Sequence, residues 1–225
     1  MSNKIFLEIK IIVKEYFIFL TLFIITLLIY YYCSKLKNIG DTGFMFFTEY
    51  CLTLFSGILG VINLKDLIED DIGEILFTIK GIERKIGVRR QFKFIILLSI
   101  LLLFYTFFSS IIFSELDFTT TFIQLVSQCL FMNSLGFLLI VFFKNSGFAI
   151  ACIGIYSILY YFLYFIIGDT FLKTFNIYTR SYVPLHGEEI ILFSIKILIF
   201  SIILYVCAQI NITYTKNNIR KLNNF

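Results

Sequence analysis

The sequence predicts an all-α integral membrane protein with six transmembrane helices, and three observations carry that prediction. Six apolar runs of about the length that crosses a bilayer as a helix occupy 16–33, 43–64, 94–113, 122–143, 147–167 and 190–210. Hydrophobic residues make up 59% of the 225 positions and charged residues 15%, well below the roughly 25% of soluble domains. The charge is also unevenly spread: 13 of the 34 charged side chains, seven Lys/Arg and six Asp/Glu, fall between 65 and 93. A β-barrel would show short alternating segments instead.

Residues 1–15 set Lys4, Glu8, Lys10, Lys14 and Glu15 among Ile, Phe, Leu and Val. They read either as an interfacial helix in the headgroup layer or as an N-terminal extension of the first span. That span follows a basic segment, as a signal peptide does. Tyr30-Tyr31-Tyr32-Cys33 lacks the small residues of a cleavage site, so the span is expected to be retained. In the second run, Ser56 and Gly60 form a small-xxx-small pair that lets helices approach closely. The same run holds Glu49, about six residues from its outer end. The sixth run holds Lys196 at a similar position, so both lie roughly 9 Å deep at a helix rise of 1.5 Å per residue. A charge at that depth is costly unless paired or hydrated. The two residues snorkel separately, pair with each other, or handle substrate.

The charged stretch contains a short, bounded amphipathic helix, Asp71 to Lys80. Asp71 can cap its start, with Glu74 three residues on completing a capping-box pattern, and Gly81 suits the position past its end. Ile72, Ile75, Leu76 and Ile79 form one apolar stripe. Two turns are too short to be stable alone in water, so the helix needs a surface to lie on. The fourth run carries Gln124, Ser127 and Gln128 on one face, with Asn133 and Ser134 beyond. That face is expected to meet protein or a wet path rather than lipid, as glue between helices or as the lining of a substrate route. Gly147, Ala151 and Gly154 repeat the small-residue spacing in the fifth run. The 168–189 connection mixes Phe171, Phe175, Tyr178 and Tyr182 with Pro184 and His186, and is expected to pack against the membrane surface or dip partway in.

Orientation follows from the basic residues of the short loops. The N-terminus, the 65–93 loop, the Lys144–Ser146 turn and the C-terminal tail share one side and carry 14 Lys/Arg, against four on the other side (Lys35, Lys37, Lys173 and Arg180). Both termini are therefore expected in the cytoplasm. The net charge of +4 follows from this bias and calls for no nucleic-acid partner. Asn211-Ile-Thr213 matches a glycosylation sequon but falls on the inner side.

Chemistry is sparse. Cys33, Cys51, Cys129, Cys152 and Cys207 are far apart with no CxxC, so neither a disulfide framework nor a metal site is indicated. The single histidine, His186, rules out a cage of several imidazoles. Paired carboxylates occur only near 69–71 and at Glu188-Glu189, where they read as solvated helix ends or interfacial anchors. No GxxxxGK[ST] loop is present to cradle ATP phosphates. Catalysis by this chain alone is not expected.

Six spans, an N-terminal interfacial helix and a capped helix between spans two and three resemble the ABC-2-type permeases, the membrane subunits of type V ATP-binding-cassette exporters. The family's loop pattern is matched here by Asp70 or Asp71, Gly73, Glu74, Ile75-Leu76-Phe77-Thr78, Arg84 and Lys93. It departs where Gly73 directly precedes Glu74, where Lys80 replaces a common proline, and where Arg84 falls a residue late. The resemblance implies a permease without its own motor, combined with a second permease copy or a sister subunit. Separately encoded ATPase subunits would hold ATP and magnesium. Asp71, Ile72, Glu74, Ile75, Leu76 and Ile79 would form the coupling helix on the ATPase. It further implies a bacterial cytoplasmic membrane and export of an amphipathic substrate: an antimicrobial peptide, a lipid-like compound or a drug. Relatives of this size also give immunity to such peptides. A membrane accessory or sensor protein that binds a cytoplasmic partner through the same loop is the alternative from another class.

Overall fold

Among the described residues, five α-helices overlie five of the six apolar runs. They are α1 (Asp41–Ile68), α2 (Val88–Ile112), α3 (Phe118–Phe143), α4 (Ser146–Ile167) and α5 (Gly187–Leu222). The computed structural model describes residues 24, 41–68, 87–112, 117–167, 177 and 187–222, and among them there is no strand. The 1–15 segment, the 16–33 run apart from Ile24, and the Asp71–Lys80 helix lie outside the described residues. Among the described residues, three stretches are long and apolar enough to cross a bilayer: Arg90–Ile111, Phe118–Phe143 and Glu188–Thr215. The chain is an all-helical membrane protein.

Two helices extend well past their apolar runs. Helix α2 starts at Val88, six residues before the run expected at 94, because Arg90 and Gln91 find partners on α1, described below. Helix α5 continues to Leu222 through the polar residues after 210. There Thr213 and Thr215 donate their hydroxyls to the carbonyls of Gln209 (2.9 Å) and Asn211 (3.0 Å).

The best-defined helix ends surround α3. Asp117 has extended backbone (φ −70°, ψ 119°), and its carboxylate accepts from the Thr120 N–H at 2.8 Å, the geometry of an N-cap. At the other end Lys144 turns left-handed (φ 54°, ψ 25°) and donates its N–H to the Ile140 carbonyl at 2.9 Å. Asn145 then starts α4, its side-chain oxygen accepting from the Phe148 N–H at 2.9 Å. The two-residue turn folds α3 and α4 into an antiparallel hairpin. Phe143 meets Phe148 edge to face at 4.5 Å, Gly136 faces Ile153, and Phe131 lies 6.2 Å from Tyr156.

Helix α3 is the centre of the bundle and touches all four others, α1 and α5 most extensively. Of its apolar stretch 61% is buried, against 33% for α2 and 22% for α5. Helices α1 and α3 run parallel, since Glu49 meets Gln124 and Gly60 meets Asn133. Helix α2 is antiparallel to α1, with Thr48 on Tyr105 at one end and Gly60 on Gln91 at the other. One apolar cluster gathers Val61, Leu64, Met132, Phe137 and Ile153; a second gathers Leu52, Leu98, Leu102, Tyr105 and Leu125. The outward faces are equally apolar: Ile96, Phe104 and Phe108 on α2, and Leu192, Ile199 and Ile203 on α5, are exposed. Large hydrophobic side chains outside and polar ones inside fit a chain whose solvent is lipid.

Candidate functional site

Helix α1 presents Glu49, Thr53, Ser56, Gly60 and Asn63 at alternating spacings of four and three, and all five are buried. That period keeps them on one stripe of a helix, and Glu49, Ser56 and Gly60 form a seam with α3. At Gly60 and Gly136 the seam has no room for a side chain. A Cβ on Gly60 would sit 2.5 Å from the Asn133 carbonyl oxygen, and one on Gly136 would overlap the carbonyl oxygen of Gly57. Close backbones let side chains bond across. The Ser56 hydroxyl donates to the Cys129 carbonyl (2.7 Å), and the Asn133 amide donates to the Ser56 carbonyl (3.1 Å). Tyr205 of α5 donates its hydroxyl to Asn133 Oδ1 at 2.6 Å, tying the third helix to the same point.

At one end of the seam Glu49, with 0% of its surface exposed, accepts from Gln124 Nε2 and from Gln128 Nε2, the latter at 3.5 Å. Gln128 Nε2 also donates to the backbone carbonyl of Ile177. This buried residue of the long α4–α5 connection is thereby held in the bundle. The Thr53 hydroxyl donates to the Glu49 carbonyl, and Thr48 shares a 2.8 Å hydrogen bond with Tyr105. The side-chain oxygens of Gln124 and Gln128 are buried and have no donor among the described residues. Removing polar atoms from water without partners is costly, and the described residues do not offset that cost for these two oxygens.

The other end is satisfied. Arg90 Nε donates to Asn63 Oδ1 at 3.0 Å, Asn63 Nδ2 to Gln91 Oε1 at 3.4 Å, and Gln91 Nε2 to the Gly60 carbonyl at 3.1 Å. These four residues clamp the last turns of α1 to the first turns of α2, at the root of the charged 65–93 stretch. Lys65 and Lys93, on the same two helices, are exposed. The parallel run of α1 and α3 places Lys144 at this end too.

Of the residues singled out from sequence, Gln124 and Gln128 converge on Glu49. Ser127 is buried but donates to the Gln124 carbonyl in its own helix at 2.8 Å. Glu49 and Lys196 match in depth along the chain but not in surroundings: the carboxylate is enclosed and Lys196 is exposed on α5. Asp71, Ile72, Glu74, Ile75, Leu76 and Ile79 lie outside the described residues. Sequence reasoning missed Asn63, Arg90 and Gln91, and the link from Asn133 to Tyr205. The alternating four-and-three spacing from Glu49 to Asn63 was the available signal for the first of them.

Chemically the seam can bind and brace. Among the described residues no three His, Cys, Asp or Glu side chains gather as a metal would require, and the four described cysteines are free. No family model matches the chain, and neither a curated protein nor a solved structure shows significant similarity to it.

Proposed function

We propose that this chain is the membrane-spanning permease subunit of an ATP-driven exporter in a bacterial cytoplasmic membrane. It moves an amphipathic substrate outward, using ATP hydrolysed on separate subunits, and pairs with a second permease. The observation that carries this reading is the clamp of Asn63, Arg90, Gln91 and Gly60. It joins the two helices that bracket the charged loop, and Gly60 rests directly on Asn133 of the central helix. A push on the 65–93 loop would therefore move α1 and α2 as a unit and bear on α3, which is what an ATPase outside the membrane needs. Six apolar runs, the basic bias toward one side and the loop resemblance to ABC-2-type permeases support the same reading. A nucleotide shifts such an equilibrium only by its differential affinity for two states, so ATP must favour the ATPase form that presses on the loop.

The test is Leu76→Asp, which puts a charge into the apolar stripe of the Asp71–Lys80 helix and leaves the spans unchanged. The variant is expected to insert and fold normally, yet lose co-purification with the proposed ATPase subunit and lose ATP-dependent export. Retention of both would remove this reading. Stable capture of a regulator or kinase in place of an ATPase would favour the accessory or sensor alternative.

A further inference from the structure

We infer that the second permease is a non-identical subunit, one of whose transmembrane helices packs on the exposed side of α5 and sets an Asp or Glu against Lys196. Calling that subunit a permease rests on the exporter reading above. Helix α5 has two unlike sides. One holds Ser194, Ile197, Ser201, Ala208 and Ile212, all buried. The other holds Leu192, Lys196, Ile199, Ile203, Val206 and Ile210, all exposed. Their alternating steps of four and three residues make one stripe along the helix, the spacing with which one helix seats another. Lys196 is the one residue of the stripe that is not apolar. No described residue forms a hydrogen bond or ion pair with it, and a charge within a span is costly unless paired or hydrated.

An identical copy does not supply the missing charge. Of the 15 Asp/Glu side chains only Glu49 lies within an apolar run, and it is enclosed at 0% exposure and engaged with Gln124 and Gln128. Two identical copies share one orientation in the bilayer, so a two-fold contact through α5 would set Lys196 against Lys196. Any other face of the copy brings no exposed carboxylate to this depth. An anionic amphiphile would carry the right charge, but small-molecule sites are concave. This is the outer side of a single helix, a shape that suits another helix. One charged residue in an apolar stripe also selects partner and register, because every other alignment leaves it unpaired among apolar groups.

The experiment uses the purified full chain in lipid bilayers at neutral pH, without any ATPase, and synthetic transmembrane helices of leucine and alanine. The helices are identical except at the position matching the depth of Lys196, which is Glu, Gln or Lys. Association is read by fluorescence energy transfer between labelled chain and labelled helix. The Glu helix is expected to bind about tenfold more tightly than the Gln helix, and the Lys helix not at all. Lys196→Leu should remove the preference, and Lys196→Glu should transfer it to the Lys helix. Both changes fall on an exposed side chain. Equal association of all the helices would overturn the inference and leave Lys196 to the lipid headgroups. A Glu preference that survives in Lys196→Leu would overturn it as well, by placing the contact elsewhere. So would energy transfer between two copies of the unchanged chain that is lost in Ile203→Arg, since an identical copy would then occupy the stripe. None of these outcomes bears on whether Leu76→Asp keeps its ATPase, so the two readings fail separately.

Discussion

Ser56 and Gly60 on α1, and Gly147, Ala151 and Gly154 on α4, carry the same signature of small residues spaced along one face, yet only the first is a tight helix contact among the described residues. On α1 a Cβ at Gly60 runs into a backbone carbonyl of α3. On α4 Ala151 is exposed, a Cβ at Gly154 meets nothing within 4 Å, and one at Gly147 meets only Asn145 of its own turn, at 3.3 Å. Small residues permit approach; they do not compel it. In lipid there is no hydrophobic force between helices, so association rests on packing and interhelical hydrogen bonds. Helix α3 offers α1 both, a glycine at 136 and hydrogen-bonding groups at 129 and 133.

The hardest blow to this comparison is Gly136→Ala. Its Cβ would overlap the Gly57 carbonyl, a backbone atom that yields only if α1 and α3 part. The loss should reach or exceed the upper end of overpacking costs, ~3 kcal/mol, measured by reversible unfolding in mixed detergent micelles. Gly60→Ala comes next, at about 1–3 kcal/mol, because it too meets backbone, the Asn133 carbonyl at 2.5 Å. Gly57→Ala sharpens the point. Its nearest neighbour is the Ile153 side chain at 3.0 Å, with the Met132 carbonyl at 3.3 Å. A side chain can shift where a backbone cannot, so the cost should fall to ~1 kcal/mol. Smallest of all is Gly154→Ala, expected to be neutral or to stabilise by up to ~1 kcal/mol, since alanine favours helix over glycine. A loss at Gly154 as large as at Gly60 would mean that both motifs are contacts and would erase the distinction.

Much of the helical layout was legible along the chain. Apolar runs placed α1, α3 and α4 within a few residues of their bounds, since a bilayer-length run reports on its own helix without reference to neighbours. Where an element extended beyond its run, the cause lay off the helix. Arg90 and Gln91 read as loop in sequence because they are polar. They are helical because Asn63 and the Gly60 carbonyl, on another helix, take their hydrogen bonds. The candidate site divides in the same way. The polar face of Gln124, Ser127 and Gln128 was visible from helical spacing, and Glu49 stood out as a charge in an apolar run. Their meeting was not visible, because it depends on α1 and α3 lying parallel and in register, which no local spacing encodes. Matched depth instead drew attention to Lys196, which depth along a helix alone cannot exclude.

The sequence by itself therefore determined the all-helical membrane character, the positions of five described helices and the set of polar residues too costly to face lipid. Those follow from hydropathy and helical period, which act residue by residue. Only the tertiary structure decided which small residues touch, that α3 is the centre of the described helices, that Asn63 and Arg90 close the root of the charged loop, and that Glu49 meets amides of α3 while Lys196 is exposed on α5. Each of these requires two helices to share an orientation and a register. Inside a bilayer that choice is made by the fit of glycine against carbonyl and of donor against acceptor, not by the apolar pattern that all the spans have in common.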